Sequence, residues 1–227
     1  MTGPVVAVMQ PYFYPYMGYY RLMACADIFV IFDCVQFPRR GRVHRTEIPG
    51  TKVHPEWLTL PLKRADRHTL IKTIQLSSQA DKLLQERLAG YGWYHSANGP
   101  LAEWVRRNLQ EPGESLLPLL TRQLAFVRDQ LGFTCKIIHS SQLELEAELR
   151  GQDRVLEIVR RLGASTYINS PGGKHLYNNE MFEKSGVALQ FLSTYSGQHR
   201  HGMKALVSEA PERLREDVLS SIDMETI

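Results

Sequence analysis

The chain has 227 residues, of which 43% are hydrophobic and 22% are charged, a balance typical of a globular protein rather than a disordered one. No apolar run approaches the roughly 18 residues that a membrane-spanning helix needs, and the N-terminal MTGPVVAVMQ lacks the features of a signal peptide. The net charge of +3 is too small to mark a nucleic-acid-binding protein, so we expect a cytoplasmic chain with neither nucleic acid nor membrane as partner.

The chain begins with a compact strand–helix–strand unit. Residues 4–9 form a short apolar run rich in valine, which predicts a buried strand. Residues 18–26 repeat apolar side chains three and four positions apart and predict a helix, and residues 27–33 predict a second buried strand. A unit of this kind favours a parallel sheet.

The middle of the chain has a different pattern. Residues 43–48 and 57–62 predict two strands on either side of a loop at 50–55, and the alternation in 70–76 predicts a half-buried strand. Residues 79–132 are helical in pattern. We therefore expect an inserted hairpin and helical subdomain over about 43–132.

The last part returns to alternating strands and helices. Strands are predicted at 135–139, 166–170 and 187–192, and helices at 153–162, ending at Gly163, around Phe182, and at 211–224. The predicted fold class is α/β, with a Rossmann-like parallel sheet built from two halves, about 1–42 and 133–227. The whole chain, 1–227, is predicted to be one domain.

The loop after the first strand is the first candidate site. Ligands bind at the carboxyl ends of strands in open α/β sheets, and the N–H groups that begin a helix face anions. Gln10 can bind a sugar or carbonyl group, while Tyr12, Tyr14 and Tyr16 can stack on a ring or bind hydroxyls. The same residues also fit a packed tyrosine-rich loop.

Asp33 and Cys34 follow the second predicted strand. Asp33 can act as a general base, or it can accept hydrogen bonds from a turn. Cys34 can be a nucleophile if its pKa is lowered, or a small buried side chain. The three cysteines form no CxxC pair and no zinc pattern, so free thiols are expected.

The stretch FDCVQFPRRGRVHRTEI carries a basic cluster. It consists of Arg39, Arg40, Arg42, His44 and Arg45. Arginine binds phosphate through two donors, which indicates an anion clamp, although a solvated basic hairpin has the same sequence. An extended backbone from Val43 would put Arg42 and His44 on one face and Arg45 on the other. His44 is a candidate base for Cys34 or for an incoming amine.

The turn NSPGGK follows a later strand and is similar to a phosphate-binding turn. Asn169, Lys174 and the neighbouring His175 are its candidate ligand-binding residues. His199 and His201 lack a third ligand at metal-binding spacing, which favours a loop. No metal or other cofactor is expected.

Three stretches of the chain strongly resemble the WbqC-like family. They are residues 9–48, WLTLPL at 57–62, and LGASTYINSPGGKHLY at 162–177. The most specific elements are Gln-Pro-x-x-x-Pro and Asp-x-Val-Gln-Phe, and Gln36 of the second joins the substrate-binding candidates. Members of this family often lie in O-antigen, amino-sugar or natural-product gene clusters, so the resemblance implies a biosynthetic role.

The sequence departs from the family pattern at two places. The family usually reads Trp-x-Asn-Arg-Asn after the arginine pair, where this chain has Gly41 followed by RVHRT, and it often has an aspartate in place of Cys34. A weaker resemblance links the fold to pantothenate synthetase and other nucleotidylyltransferase-like proteins. Their His-x-Gly-His element is replaced here by YMGY at 16–19.

Three functions remain open from the sequence. The first is a transferase that forms an amide or an ester by moving an acyl or aminoacyl group from a thioester to a sugar nucleotide, at its amine, or to a natural-product intermediate. The others are a non-catalytic module that binds a sugar nucleotide or carrier protein, and an ATP-dependent ligase. The expected partners are a phosphate-bearing small molecule and an acyl carrier protein.

Overall fold

The computed structural model describes residues 3–50 and 54–225, and its eight strands in this range form two sheets. In chain order the strands are β1 (Val5–Met9), β2 (Ile28–Ile31), β3 (Arg45–Ile48), β4 (Glu56–Thr59), β5 (Lys136–His139), β6 (Thr166–Asn169), β7 (Ala188–Leu192) and β8 (Met224–Glu225). The larger sheet has the order β5-β2-β1-β6-β7-β8, and its pairs are parallel except for β7 with β8. The predicted α/β class with a mostly parallel, Rossmann-like sheet is confirmed.

Helices cover the sheet and build the middle of the chain. They are α1 (Met17–Cys25), α2 (Ala80–Leu88), α3 (Gly92–Ser96), α4 (Ala102–Gln110), α5 (Leu116–Gln130), α6 (Gly151–Arg161), α7 (Asn179–Lys184), α8 (Gly202–Ser208) and α9 (Pro211–Ser220). No helix among the described residues combines the length and apolar character required to cross a membrane.

The central strands β1, β2 and β6 of the large sheet are buried on both faces. Ala7 of β1 packs in one apolar cluster with α1, α5 and α9, whereas its neighbours Val6 and Val8 pack in a second cluster with α6 and α7. Strands covered on both faces carry continuous apolar runs, which explains why β1 and β2 are visible in the sequence.

The predicted hairpin is present as the small antiparallel sheet. Thr46 of β3 pairs with Leu58 of β4. Residues 51–53 of the predicted loop lie outside the described residues.

The predicted strand at 70–76 is wrong. Ile71–Thr73 forms a 3-10 turn, in which the Thr73 hydroxyl donates to the carbonyl of Leu70 at 3.0 Å. Ile71 and Ile74 are both buried, and a tight turn brings side chains three positions apart onto one side. The alternation of apolar residues at 70–76 therefore reflects this turn and not a strand.

The C-terminal prediction needs two further corrections. The last helix ends at Ser220 rather than 224, because the chain then turns to pair Met224 with Leu192 of β7. Helix α8 was not predicted, and a loop was expected at His199 and His201 just before it. Met203 and Leu206 of α8 are nevertheless fully buried.

A buried arginine joins α1 to the C-terminal part of the chain. Arg21 is 1% exposed, and its guanidinium donates to the carbonyls of Ser221 at 2.7 Å and Ser193 at 2.9 Å. It also lies 5.4 Å from the ring centre of Tyr195. Burial lowers the pKa of Arg21, and the carbonyl and aromatic partners replace the water that the cation loses.

We expect Arg21→Ala to lower the free energy of unfolding by about 3 kcal/mol, because two buried carbonyls lose a charged donor. Urea denaturation followed by circular dichroism measures the change. The control is Arg107→Ala on the exposed surface of α4, which should leave the transition midpoint unchanged. Equal midpoints for Arg21→Ala and the wild type would contradict the role of this contact.

Candidate functional site

A cavity of about 510 Å³ lies at the carboxyl ends of β1, β6 and β7. Met9 at the end of β1, residues 170–172 after β6, and Thr194 and Tyr195 after β7 contribute to its lining. The loops that follow parallel strands lie at the same edge of the sheet, which is where open α/β sheets bind ligands. This cavity is therefore the candidate site.

Aromatic rings form much of its wall. Tyr12 packs against Tyr19 with ring centres 5.2 Å apart, and Tyr16 packs edge-on against Tyr195 at 5.3 Å. Burial raises the pKa of Tyr12 and of Tyr195, and the hydrogen bond from Tyr195 to Asp217 raises the latter further. These two phenols stay neutral near pH 7 and offer ring faces and hydroxyl groups to a ligand.

Neighbouring elements hold the loop from 10 to 16 in place. Tyr14 has a φ of 40°, an uncommon conformation for a residue with a side chain. Its carbonyl accepts a hydrogen bond from the Thr46 hydroxyl at 2.7 Å, and the N–H of Phe13 donates to the carbonyl of Arg42 at 3.0 Å. The loop is thus fixed against the small sheet.

Glycine at position 18 allows the rings around the start of α1 to approach. A Cβ atom there would lie 2.2 Å from Tyr16 Cε2 and 2.6 Å from Tyr195 Cγ, both too close for real contacts. The N–H of Met17, the first residue of α1, already donates to the carbonyl of His199 at 3.1 Å. The two tyrosine rings and the His199 carbonyl therefore occupy much of the space at the N-terminus of α1.

Two cations and one carboxylate line the cavity. Arg42 donates to Glu47 at 3.3 Å, and the two side chains are 42% and 29% exposed. Arg200 is exposed at the same cavity. Two guanidinium groups against one carboxylate leave an excess of positive charge, which suits an anionic ligand.

Of the residues predicted as ligand-binding, Tyr12 and Tyr16 line this cavity, together with Arg42 of the basic cluster. The carbonyl of Gln10, next to them, accepts a hydrogen bond from the Tyr19 hydroxyl at 2.8 Å.

Asp33 lies elsewhere and is fully buried. One carboxylate oxygen accepts hydrogen bonds from the Ser140 hydroxyl at 2.8 Å and the Ser141 N–H at 2.9 Å. The other accepts from the Ser141 hydroxyl at 2.6 Å. These contacts anchor the turn after β5.

Cys34 adjoins the same turn. The Ser140 hydroxyl lies 3.0 Å from its sulfur, and Arg154 Nη1 lies 3.3 Å from that sulfur and 2.9 Å from the Cys34 carbonyl. Arg154 is 8% exposed and also donates to the carbonyls of Glu146, Ala147 and Leu149. Nothing in the sequence pattern of α6 distinguishes Arg154 from the other arginines there.

The basic cluster does not alternate between two faces as predicted. Residues 41–44 form a turn, so β3 starts only at Arg45. Arg42 and Arg45 therefore both pack on Trp57, with guanidinium carbons 5.1 Å and 4.2 Å from its ring centre. Arg45 also donates to the carbonyl of Arg40.

Arg39 and Gln36 are exposed and bind a neighbouring loop. Arg39 donates to the carbonyl of Ala65 at 3.1 Å, and Gln36 donates to the carbonyl of Arg67 at 2.7 Å. Neither residue lines the cavity at the end of β1.

The NSPGGK turn contributes Ser170, Pro171 and Gly172 to the cavity rather than its polar side chains. The Asn169 amide donates to the hydroxyls of Tyr167 at 3.0 Å and Tyr177 at 3.2 Å, which fixes the turn. Lys174 forms an ion pair with Glu225, and His175 is exposed.

Glu47, Tyr195 and Arg200 line the cavity but were not predicted as site residues from the sequence. Tyr195 and Arg200 follow β7, so applying the rule for strand ends to this third strand would have identified that region. Glu47 had no comparable signal, because only the docking of the small sheet brings it to the cavity. Among the described residues, no group of three or more His, Cys, Asp or Glu side chains is arranged to hold a metal ion.

His44 is a buried, neutral imidazole. It is 9% exposed, and its ring centre lies 5.0 Å from that of Phe37. Burial lowers the pKa of His44 to about 4, and the adjacent Arg45 contributes in the same direction. Within the described residues, no hydrogen bond joins His44 to Asp33 or Cys34.

The low pKa of His44 predicts a loss of stability in acid. The unfolded imidazole has a pKa of 6.5 and binds a proton that the folded one, with a pKa of about 4, does not. The unfolding free energy should therefore fall as the pH drops from about 6.5 to about 4. Urea titrations across this range, compared with those of His44→Gln, isolate the effect.

The matched control for this titration is the exposed His175. His175→Gln should keep the wild-type pH dependence, whereas His44→Gln should flatten it. Proton NMR that places the His44 pKa near that of a free histidine would contradict this account.

Comparisons with known proteins agree with the resemblance seen in the sequence. An uncharacterized protein of Mycobacterium tuberculosis, Rv1507c, is 23% identical over 195 residues, which cover 85% of this chain and 83% of that protein. No solved structure matches the chain. The model of the WbqC-like protein family matches residues 10–204, which include most of the cavity lining. The chain therefore belongs to the WbqC-like protein family.

Proposed function

We propose that the chain is a biosynthetic transferase that binds a phosphate-bearing small molecule in the strand-edge cavity and acylates its amine. The observation that carries this proposal is the composition of the cavity. Two guanidinium groups, one carboxylate and several tyrosine rings surround about 510 Å³ at the carboxyl ends of three parallel strands. A volume of this order holds a small-molecule ligand.

The charged and aromatic groups suit the parts of a sugar nucleotide. Arg42 and Arg200 supply paired donors for phosphate oxygens. The rings of Tyr12, Tyr16 and Tyr195 supply flat surfaces for a sugar or base, with hydroxyls that can bind ligand oxygens. Glu47, the carboxylate among these lining residues, suits an amine.

The reaction follows from placing a thioester beside that amine. Glu47 accepts a hydrogen bond from the amine, whose nitrogen adds to the thioester carbonyl carbon. The C–N bond forms and the C–S bond breaks, and Glu47 takes the proton that the nitrogen releases and passes it to the departing thiolate. The products are an amide and a free thiol, so no further reactant is needed.

Transfer in this proposal is direct rather than through Cys34. The sulfur of Cys34 contacts Ser140 and Arg154, and it does not line the cavity. Asp33 anchors the turn after β5 through its serine contacts, and His44 is a weak base because of its low pKa. The catalytic roles predicted for these three residues remain predictions.

A non-catalytic binding module is the second candidate. One observation favours it: Asp33, Cys34 and His44, the predicted chemical groups, lie outside the cavity lining. A module of this kind would bind the sugar nucleotide in the same cavity and release it unchanged. Binding and turnover must therefore be measured separately.

We expect Arg42→Ala and Arg200→Ala each to weaken binding of a UDP-linked amino sugar by roughly tenfold to a hundredfold, because each removes a charge-assisted contact to phosphate. Isothermal titration calorimetry at low salt measures the affinity. Arg107→Ala, remote in the sequence from the lining residues, is the control. If Arg40→Ala weakens binding and both cavity variants do not, the ligand binds beside Arg40 and outside the cavity.

Turnover is tested with the same acceptor and an acetyl thioester of pantetheine. We expect Glu47→Gln to lower kcat by roughly a hundredfold or more, because the amine loses its proton acceptor, while Cys34→Ala keeps most of the wild-type activity. Product is detected by mass spectrometry. Binding without product would support the non-catalytic module, and an acyl adduct on Cys34 with an inactive Cys34→Ala would replace direct transfer by a covalent mechanism.

A further inference from the structure

A separate basic surface lies beside the small sheet. We define it by five exposed cations: Arg39, Arg40, Lys63, Arg64 and Arg67. All except Arg40 line a concavity of about 320 Å³, whose floor includes Phe37 and Leu62. Asp66 is the one carboxylate among the residues that line it.

The cations of the basic surface are not neutralised by the protein. Within residues 3–50 and 54–225, none of the five forms an ion pair. Some exposed cations on the helices are paired, as Lys82 is with Glu86 and Lys184 with Glu180. Unneutralised positive charge at one place creates a local field that attracts an acidic partner.

Direct contacts connect the basic surface to the candidate site. The carbonyl of Arg40 accepts a hydrogen bond from Arg45, whose guanidinium packs on Trp57. Arg42, which lines the cavity, also packs on Trp57. Trp57 is 43% exposed, so arginine and an accessible aromatic ring lie between the two places. Both residue types are enriched at protein–protein contacts.

We propose that the basic surface docks the acidic face of an acyl carrier protein, which delivers the thioester to the cavity. The proposal rests on the transferase function proposed above and adds the donor's identity to it. A protein donor fits because the exposed cations extend beyond the concavity to Arg40, which does not line it, so the positive charge is not confined to one small pocket.

Nucleic acid fits the same surface less well. The Trp57 ring packs against two guanidinium groups, which compete with a base for its faces. The net charge of the chain is only +3, well below that of a typical nucleic-acid-binding protein.

The test is binding of a fluorescently labelled holo acyl carrier protein to the full-length chain, measured by anisotropy at low salt. Lys63→Glu/Arg64→Glu should weaken binding by about tenfold or more. The matched control is Arg107→Glu/Lys136→Glu, which replaces one exposed lysine and one exposed arginine elsewhere. It should change the affinity little, since docking depends on position as well as net charge.

Activity assays separate this proposal from the function on which it rests. With an acetylated carrier protein as donor, Lys63→Glu/Arg64→Glu should lose about tenfold or more in kcat/KM, and with acetyl-pantetheine it should equal the wild type. Equal losses with both donors would overturn docking and indicate a small-molecule phosphate subsite. Wild-type transfer from acetyl-pantetheine without carrier binding would overturn docking alone.

Two further outcomes decide against the proposal. Tighter binding of a single-stranded oligonucleotide than of the carrier protein, lost in Lys63→Glu/Arg64→Glu, would assign the surface to nucleic acid. Equal weakening in the control variant would show that only net charge matters. If the wild type binds the carrier but transfers from neither thioester, the docking surface stands and the transferase function fails.

Discussion

The parallel pairing of β1 with β2 on one side and β6 on the other is the constraint on which the rest of the structure depends. Val8 is in register with Val30, and Val6 with Tyr167. Because these strands run in one direction, the segments that follow them leave the sheet at the same edge. The start of α1, the NSPGGK turn and the segment after β7 meet there, and the cavity is the space between them.

The C-terminal part of the chain packs against that edge of the sheet. Tyr195 packs against Tyr16, lies over Arg21 and donates to Asp217 of α9. Arg21 in turn binds the carbonyls of Ser193 and Ser221. A buried cation is costly unless its donors are satisfied, so these carbonyls specify how α1 sits against the last helix. These contacts hold Tyr195 in the wall of the cavity.

Several polar groups near the strand ends stabilise turns rather than face the cavity. Asp33 binds Ser140 and Ser141, and Asn169 binds two tyrosine hydroxyls. Buried polar groups need such partners, because an unsatisfied one costs about 1–3 kcal/mol. The polar residues that line the cavity are tyrosines, two arginines, one glutamate, Ser170 and Thr194.

The sequence by itself determined strands β1 to β7, most helices and the family, because continuous apolar runs and helical periodicity are local properties. It also identified Tyr12 and Tyr16 through their place after the first strand. The strand predicted at residues 70–76 is wrong, because alternation alone does not separate a strand from a 3-10 turn. The buried side chains of Ile71 and Ile74 belong to such a turn. Only the tertiary structure brought Glu47, Tyr195 and Arg200 together, since they lie on segments far apart in the chain. It also decided that Arg42 rather than Arg39 faces the cavity, because the turn at 41–44 and the packing on Trp57 set the direction of each arginine.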